Sequence, residues 1–361
     1  MTRIVVLPAD MGGCGYYRMR LPAGAVQYAR PDWKVEVYRP SQVELGVGMQ
    51  GELWSVRGIP DPEKIDLLVM QRVATRAQVE FLQWAQGNGA ATVVDSDDAM
   101  WAIHPDNAAH AYWNGVESAV HWRYLDHAAN VADITTVTTP ALARRYGKHG
   151  RCEVLPNCVP GDLWEHLESA REALDATTAV GWAGTTATHP HDLEVVGDAV
   201  ARAVADTGCA VRVVGDAAGA ARDWGLQREQ VERVENTPIG LPYYTALTSL
   251  DIGLVPLQDG PFNRAKSYLK ALEFAAVGVP VIASPTPANR ELARYVPIRL
   301  ASTPAQWYDH ITDLVNHPEK RLEEAQRAQA QVRLLHTYEG NAHQWVDVWQ
   351  RALSRRARMS A

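Results

Sequence analysis

Short apolar runs alternate with longer segments whose apolar residues recur at helical spacing. This alternation is typical of parallel strands that helices cover on both faces of a sheet. In the first half of the chain the predicted strands are residues 4–8, 35–38, 65–71, 91–94, 134–137 and 153–155.

The alternation stops at residues 156–164, which are rich in proline and glycine, and it resumes after a charged segment that ends near residue 176. The second half then contains predicted strands at 179–183, 211–214, 252–256, 279–283 and 298–300. We therefore expect an α/β protein with two doubly wound, Rossmann-like domains that face each other across a cleft. The expected divisions are 1–160, a linker 161–177, 178–335, and a terminal segment 336–361.

The terminal segment contains a predicted helix at 341–353, followed by a basic stretch, 354–361, that we expect to be a mobile tail. One side of this helix is a broad apolar stripe, which must be buried. The stripe consists of Trp345, Val348, Trp349 and Ala352.

Composition narrows the class of protein. A chain of 361 residues is long enough for two domains that each bury a core. Its net charge of -7 argues against a nonspecific nucleic-acid binder. The four cysteines lack the spacing of a metal site or redox motif, no apolar run is long enough to span a membrane, and the N-terminus enters a strand without a signal-peptide pattern. A cytoplasmic enzyme is the expectation.

The segment 263–284 carries the most informative chemistry. If it forms one helix, Lys266, Lys270 and Glu273 lie within about 60° of each other on one face. Lysine ammonium groups can neutralise a diphosphate, and a carboxylate can accept hydrogen bonds from ribose hydroxyls. The alternative is a solvated face of an amphipathic helix. Two lysines four residues apart repel each other unless an anion lies between them, which favours the binding interpretation.

The run K-S-x-x-K-x-L-E-x-A-A-x-G-V-P-V-I-A-S resembles the donor-binding helix of glycosyltransferases with the two-domain GT-B fold, in particular those of family 4. The resemblance implies a nucleotide diphosphate sugar as donor, with a UDP-sugar as the first expectation, and a terminal helix that returns to the first domain. Glu273 matches the family's ribose-binding glutamate. Ala265 stands where many relatives have a second glutamate, so a retaining and an inverting reaction both stay open.

Two first-domain segments are expected to reach the cleft. The loop around Gly13 follows the first strand, and in GT-B enzymes the equivalent loop approaches the donor phosphate or the acceptor. Tyr17, Arg18 and Arg20 follow it and are predicted to contact the acceptor, although Arg18 alternatively braces the fold. The glycine spacing differs from a dinucleotide-binding fingerprint, which argues against a nicotinamide cofactor.

The second of these segments, DSDDAMWAIHPDN, supplies the candidate general base, with Asp97, Asp98 and His104 as the alternatives. Such an aspartate cluster can also hold a divalent metal, or cap a helix. Because the lysines already meet the phosphate charge, and enzymes of this fold usually need no metal, we expect neither a metal nor another cofactor.

The start of the second domain, VGWAGTTATHPHDL, is predicted to cradle phosphate through Gly184, Thr185 and Thr186. Arg264 is expected to join Lys266 in meeting the phosphate charge. His189 and His191 are interpreted as surface or capping residues rather than metal ligands. The nucleobase is expected near residues 237–239.

The sequence allows several classes of acceptor. The patterns GCGYYRxRxPA and DSDDAMW resemble glycosyltransferases of phages of high-GC bacteria, which implies a hydroxymethylated pyrimidine in DNA as acceptor, with a virion protein or an envelope glycan as alternatives. A sugar-nucleotide epimerase or hydrolase and a noncatalytic binding protein are the other functional classes. A phosphate-contacting strip and scattered solvated side chains are the two interpretations of Arg18, Arg20, Arg72, Arg76, Arg144 and Arg145.

Overall fold

The computed structural model describes residues 1–48, 53–115, 121–167, 177–235 and 237–360. The first half of the chain forms a six-stranded parallel sheet in the order β2-β1-β5-β6-β7-β8. Its strands are β1 (Thr2–Leu7), β2 (Trp33–Val37), β5 (Leu67–Gln71), β6 (Ala91–Ser96), β7 (Ile134–Val137) and β8 (Cys152–Val154). A separate antiparallel hairpin joins β3 (Glu44–Val47) to β4 (Leu53–Arg57).

The second half repeats this architecture in the order β11-β10-β9-β12-β13-β14, again with parallel pairings. In both sheets the order of the strands therefore reverses next to the first strand, as in doubly wound folds. The strands of the second sheet are β9 (Ala179–Gly184), β10 (Ala210–Gly215), β11 (Val231–Val234), β12 (Ile252–Val255), β13 (Val281–Ala283) and β14 (Arg299–Leu300).

Each strand predicted from the sequence is present, within about two residues at its ends, which confirms the α/β architecture of two doubly wound units. The β3–β4 hairpin and the edge strand β11 are not among the strands predicted from the sequence. Val231 is buried in β11, whereas its two central residues are exposed, so this strand has no apolar run to reveal it.

Helices cover both faces of the sheets. Threonine side chains accept a backbone N–H at the start of four of them, which satisfies an otherwise unpaired donor; these N-caps are Thr75, Thr139, Thr286 and Thr303. The helices are α1 (Gly13–Gly15), α2 (Leu21–Ala29), α3 (Arg76–Gly87), α4 (His110–Asn114), α5 (His121–Val131), α6 (Pro140–Tyr146), α7 (Leu163–Leu167), α8 (Ala199–Thr207), α9 (Ala217–Asp223), α10 (Leu241–Leu247), α11 (Pro261–Ala265), α12 (Leu269–Ala276), α13 (Pro287–Leu292), α14 (Pro304–Asn316), α15 (Pro318–Leu335) and α16 (Ala342–Ser360).

The terminal helix α16 packs against the first unit, as the resemblance implied. The Arg18 guanidinium lies 4.9 Å from the ring centroid of Trp345, and Arg351 forms a salt bridge with Glu153 of β8. The predicted apolar stripe is buried. The expectation of a mobile tail is wrong for residues 354–360, because α16 continues through them to Ser360.

The proposed domain divisions stay predictions, and residues 168–176 of the expected linker lie outside the described residues. Across the part of the chain that the structure describes, no helix is long and apolar enough to cross a membrane.

Candidate functional site

A cavity of about 340 Å³ lies between the two units, and residues of both units line it. On the second unit, Trp182 at the end of β9 and Val255 at the end of β12 contribute to the wall. These two strands are neighbours at the point where the strand order reverses, which is where open α/β sheets bind ligands.

The predicted helix across 263–276 is broken. α11 ends at Ala265, Lys266 has an extended backbone (φ -61°, ψ 149°), and α12 begins at Leu269. A hydrogen bond from the first unit stabilises the break between α11 and α12, since Asn157 Nδ2 donates to Ser267 Oγ (3.0 Å). Lys266 and Lys270 are therefore not neighbours on one continuous helix, which corrects the geometry expected from helical spacing.

The cavity nevertheless brings Lys266, Lys270 and Glu273 together. Within the described ranges neither lysine forms a salt bridge, and the Lys266 ammonium lies 4.9 Å from the ring centroid of Phe262. Burial lowers the pKa of Lys270, an effect that the charge of Glu273 opposes. Two neighbouring ammonium groups that form no salt bridge within the described part of the chain are a suitable site for an anion.

Glu273 is 5% exposed and connects the two walls of the cleft. Its Oε1 accepts from Tyr17 Oη of the first unit (2.7 Å), and its Oε2 accepts from Tyr243 Oη (3.0 Å). The Tyr17 hydroxyl also lies 2.6 Å from that of Tyr244. Burial raises the pKa of Glu273, while Lys270 and the tyrosine hydrogen bonds oppose this shift. Each carboxylate oxygen keeps further acceptor capacity for a ligand hydroxyl.

Asp97 and Asp98 both line the first-unit wall but differ in their surroundings. Arg72 donates to both oxygens of Asp97 (2.5 and 2.7 Å) and to Asp98 Oδ2 (3.1 Å). Burial opposes ionisation of Asp97, but the charge and hydrogen bonds of Arg72 outweigh it and lower the pKa of this carboxyl. For Asp98, burial raises the pKa against the opposing charge of Lys266. Asp98 is thus the carboxylate with the higher proton affinity.

Arg72 itself has a left-handed backbone (φ 49°), which is uncommon for a side chain of its size. Its N–H donates to Asp95 O (2.9 Å) across the ends of β5 and β6. The same guanidinium also donates to Cys14 Sγ (3.0 Å), and burial raises the pKa of this thiol. The aspartate loop is therefore held in place by one half-buried arginine.

The three residues predicted to contact the acceptor lie in different places. Tyr17 and Arg18 line the cavity but are each 1% exposed. Arg18 forms a salt bridge with Asp95 (2.7 Å) and donates to Leu155 O (2.6 Å), so the structure favours the bracing alternative for it. Arg20 does not line the cavity, and its guanidinium lies 5.3 Å from the ring centroid of Tyr16.

The predicted glycine and threonine residues are divided between this cavity and a separate place. Gly13 lines the cavity, whereas Gly184 and Thr185 line a separate depression beside Asp216. Thr186 Oγ1 donates to Asp216 Oδ2 (2.5 Å) and does not line the main cavity. Gly184 pairs with Gly215 of β10, and Thr186 bonds to Asp216, so these residues lie on the β10 side of β9 and apart from the lysines.

Arg264 and His104 also fall outside the cavity. Arg264 is exposed on α11 and forms a salt bridge with Asp259. His104 is exposed on the loop after β6, with its ring centroid 5.2 Å from that of His191. Among the candidate bases, the cavity therefore contains the two aspartates but not the histidine.

His189, predicted to be a surface or capping residue, lines the cavity. Its Nδ1 lies 2.9 Å from Asp192 Oδ2, and Asp192 Oδ1 accepts from Asn263 Nδ2 (2.7 Å). Burial lowers the pKa of His189 to about 4, against the opposing hydrogen bond to Asp192. No local sequence signal distinguishes this half-buried histidine from its more exposed neighbour His191.

The cavity is also lined by residues that were not predicted from the sequence as site residues: Cys14, Asn157, Trp182, Tyr243, Leu257, Ser267 and Asn289. Ile239, within the predicted nucleobase segment, also lines it. Most of these side chains are uncharged, and ordinary core or loop positions have the same composition. The consecutive tyrosines Tyr243 and Tyr244, which precede the predicted strand at 252–256, are the sequence feature from which part of this set could have been inferred.

The proposed arginine strip is not assembled. Arg18 is buried in an ion pair with Asp95, half-buried Arg72 pairs with Asp97, and Arg145 pairs with Asp126 (2.5 Å). Arg144 instead lines a different cavity beside Arg264. Arg18 and Arg72 fit neither interpretation, because they form ion pairs inside the first unit and are neither solvated nor aligned in a strip.

Comparison with known proteins places this geometry in context. Residues 197–347 match the family model described as "Glycosyl transferase-like". None of the curated proteins matches the sequence. The family match covers the lysine pair, Glu273 and the strands on either side of them.

Solved structures match over nearly the whole chain. Sucrose-phosphate synthase from Thermosynechococcus elongatus is 15% identical, with a TM-score of 0.66, covering 98% of this chain and 100% of that chain. Anabaena HepE in complex with UDP and glucose is 15% identical, with a TM-score of 0.65, covering 96% and 99%. A glycosyltransferase from Rickettsia africae is 12% identical, with a TM-score of 0.62, covering 98% of both chains. The chain has the GT-B fold.

Proposed function

We propose that this protein is a glycosyltransferase that moves a sugar from a UDP-sugar to an acceptor hydroxyl. The observation that carries the proposal is the pair Lys266 and Lys270, which line the cavity beside Glu273 and opposite Asp98. This set combines cations for a diphosphate, an acceptor for ribose hydroxyls and a carboxyl for the reacting hydroxyl. The GT-B fold, the family match and the UDP-containing complex of the similar HepE support it.

In the proposed reaction, the bond between the anomeric carbon and the diphosphate oxygen breaks while the acceptor oxygen bonds to that carbon. Lys266 and Lys270 stabilise the negative charge that develops on the leaving nucleoside diphosphate. Because the cavity is partly closed to water, this electrostatic stabilisation is stronger than at an open surface. The lysines meet the phosphate charge, so we propose that transfer requires no metal at the diphosphate.

Asp98 is the proposed partner of the acceptor hydroxyl. In an inverting transfer it takes the hydroxyl proton, and its raised pKa suits a general base better than that of Asp97. In a retaining transfer the departing phosphate oxygen takes this proton, and Asp98 orients the hydroxyl. Anomeric analysis of the product distinguishes the two.

Tyr17 has a different proposed role from direct acceptor contact. Its hydroxyl bonds to Glu273 from the opposite unit, so it orients the carboxylate that receives the ribose. Because this hydrogen bond crosses the cleft, closing the units and preparing the nucleotide site are coupled.

For the acceptor we retain the hydroxymethylated pyrimidine of phage DNA that the sequence resemblance implies. The arginine positions give it no additional support, and a virion protein or an envelope glycan are the alternatives.

The test measures nucleoside diphosphate release from UDP-, GDP- and dTDP-sugars, each alone and with unmodified DNA, hydroxymethylcytosine DNA, or protein and glycan acceptors. Release from a UDP-sugar that requires an acceptor supports transfer, and the acceptor that elicits it identifies the class. Release without any acceptor would indicate a hydrolase or epimerase instead. Donor binding by calorimetry without release would indicate a noncatalytic binding protein.

A further inference from the structure

Another contact between the two units lies beside the cleft. The loop that follows β6 meets the loop that follows β9, where Ala108 N donates to Ala187 O (2.8 Å) and Asn107 Nδ2 donates to Thr188 O (2.9 Å). Asn107 is buried at this junction. The first loop continues from Asp98 and the second contains His189, so both adjoin the candidate site.

Three metal-ligating side chains meet at this junction. His104 and Asp106 come from the first unit and His191 from the second, and one ligand atom of each lies within 4.8 Å of the other two. His191 Nε2 lies 3.0 Å from Asp106 Oδ2, and His104 Nδ1 lies 3.7 Å from the same oxygen. A common centre for the three ligand atoms therefore needs shifts of only about 1 Å to reach zinc–ligand bond lengths.

The surroundings of His191 orient it as metal-bound histidines are oriented. Glu194 Oε1 lies 3.0 Å from His191 Nδ1, so a carboxylate fixes one ring nitrogen while the other points to Asp106. Zinc sites commonly contain this carboxylate–histidine arrangement. His191 also has a left-handed backbone (φ 62°), an uncommon conformation for a residue other than glycine.

The donor set indicates the class of ion. Two imidazoles and one carboxylate suit Zn²⁺ and its neighbours among the transition metals, whereas Mg²⁺ and Ca²⁺ prefer oxygen ligands. The three side chains are partly exposed, so a water molecule can complete a tetrahedral site.

We propose that His104, Asp106 and His191 form a zinc site that joins the two units beside the cleft. The ion replaces the single hydrogen bond between His191 and Asp106 with bonds to both units and thereby favours the closed arrangement. This site is separate from the diphosphate site, and its existence does not depend on the proposed glycosyl transfer.

The first test measures Zn²⁺ binding by isothermal titration calorimetry on the full chain after chelator treatment and dialysis, with no sugar nucleotide present. We expect one ion per chain. Glu194→Gln should weaken binding about tenfold, the lower end for a residue that orients a ligand. His104→Ala and His191→Ala should weaken it by larger factors. His343→Ala, at an exposed histidine of α16, is the matched control and should bind as the wild type does.

Co²⁺ is the spectroscopic probe. The wild type and His343→Ala should give the intense visible absorption of tetrahedral cobalt, and His191→Ala should lack it. Small-angle X-ray scattering with and without Zn²⁺ then tests the link between the units, with a smaller radius of gyration expected for the wild type and no change for His191→Ala. The proposal is overturned if the wild type binds no Zn²⁺, if His104→Ala and His191→Ala bind like the control, or if zinc leaves the scattering unchanged.

Discussion

The two walls of the cleft contain charged residues in contrasting states. On the first-unit wall, Asp97 forms a salt bridge with half-buried Arg72, and Arg18 forms one with buried Asp95. On the second-unit wall, Lys266 and Lys270 lack a salt-bridge partner among the described residues. Paired charges hold their own loops in place, whereas unpaired ones are available to a ligand. The first-unit wall therefore holds its own loops in position, and the second-unit wall provides the charges that bind a ligand.

Asp98 shares Arg72 with Asp97 through one longer contact (3.1 Å), and its replacement should have the largest effect. Asp98→Asn should lower kcat by about 1,000-fold, because an amide cannot accept the hydroxyl proton, a contribution typical of general bases. Donor affinity should change little. Steady-state kinetics and calorimetry with the UDP-sugar measure the two quantities.

Asp97→Asn is the matched control for Asp98. It removes a partner of half-buried Arg72, so we expect a lower free energy of unfolding by about 1–3 kcal/mol, measured by denaturant unfolding. Equal losses of kcat in both variants with unchanged stability would contradict the division between a positioning and a reacting aspartate.

His189 tests whether the second wall contains a neutral histidine. Its folded-state pKa of about 4 lies below the unfolded value of 6.5. Its contribution is therefore fully present above pH 6.5 and is lost as the pH falls from 6.5 through 4, by at most about 3 kcal/mol. Denaturant unfolding at several pH values measures this loss.

His189→Asn keeps an N–H that can donate to Asp192 but removes the titrating ring. The unfolding free energy of this variant should depend less on pH between 4 and 6.5. An unchanged pH dependence would assign the effect to other groups.

Lys266→Ala should lower kcat/KM by about 100-fold, equivalent to the loss of one strong charge-assisted contact to phosphate. Arg264→Ala is the matched control, because Arg264 is two residues away yet exposed and paired with Asp259. We expect its kcat/KM to stay close to the wild-type value. A larger loss for Arg264→Ala than for Lys266→Ala would reverse the assignment of the phosphate site.

Tyr17→Phe has the smallest expected effect. It removes one hydrogen bond to Glu273, so the Kd for UDP should rise about fivefold to tenfold, or about 1 kcal/mol. The KM for the acceptor should remain unchanged. A rise in the acceptor KM with unchanged UDP affinity would instead support the direct acceptor contact that the sequence suggested.

The strands and the chemistry of segment 263–284 could be predicted because their signals are local. Apolar runs such as those of β5 and β6 reveal buried parallel strands whatever lies elsewhere in the chain. The missed strand β11 and the helical residues 354–360 show the limit of this reasoning. An edge strand and a polar helix end have no strong apolar pattern, so their structure depends on neighbours.

The sequence by itself thus determined two doubly wound units and a lysine–glutamate segment at a strand end, because residue periodicity and turn chemistry act over a few neighbouring positions. Only the tertiary structure decided which charges are paired. Tyr17 meets Glu273 across 256 positions and His191 meets Asp106 across 85. Such contacts depend on how the two units pack, and burial, which shifts the pKa values of Asp98 and His189, exists only once the chain is folded.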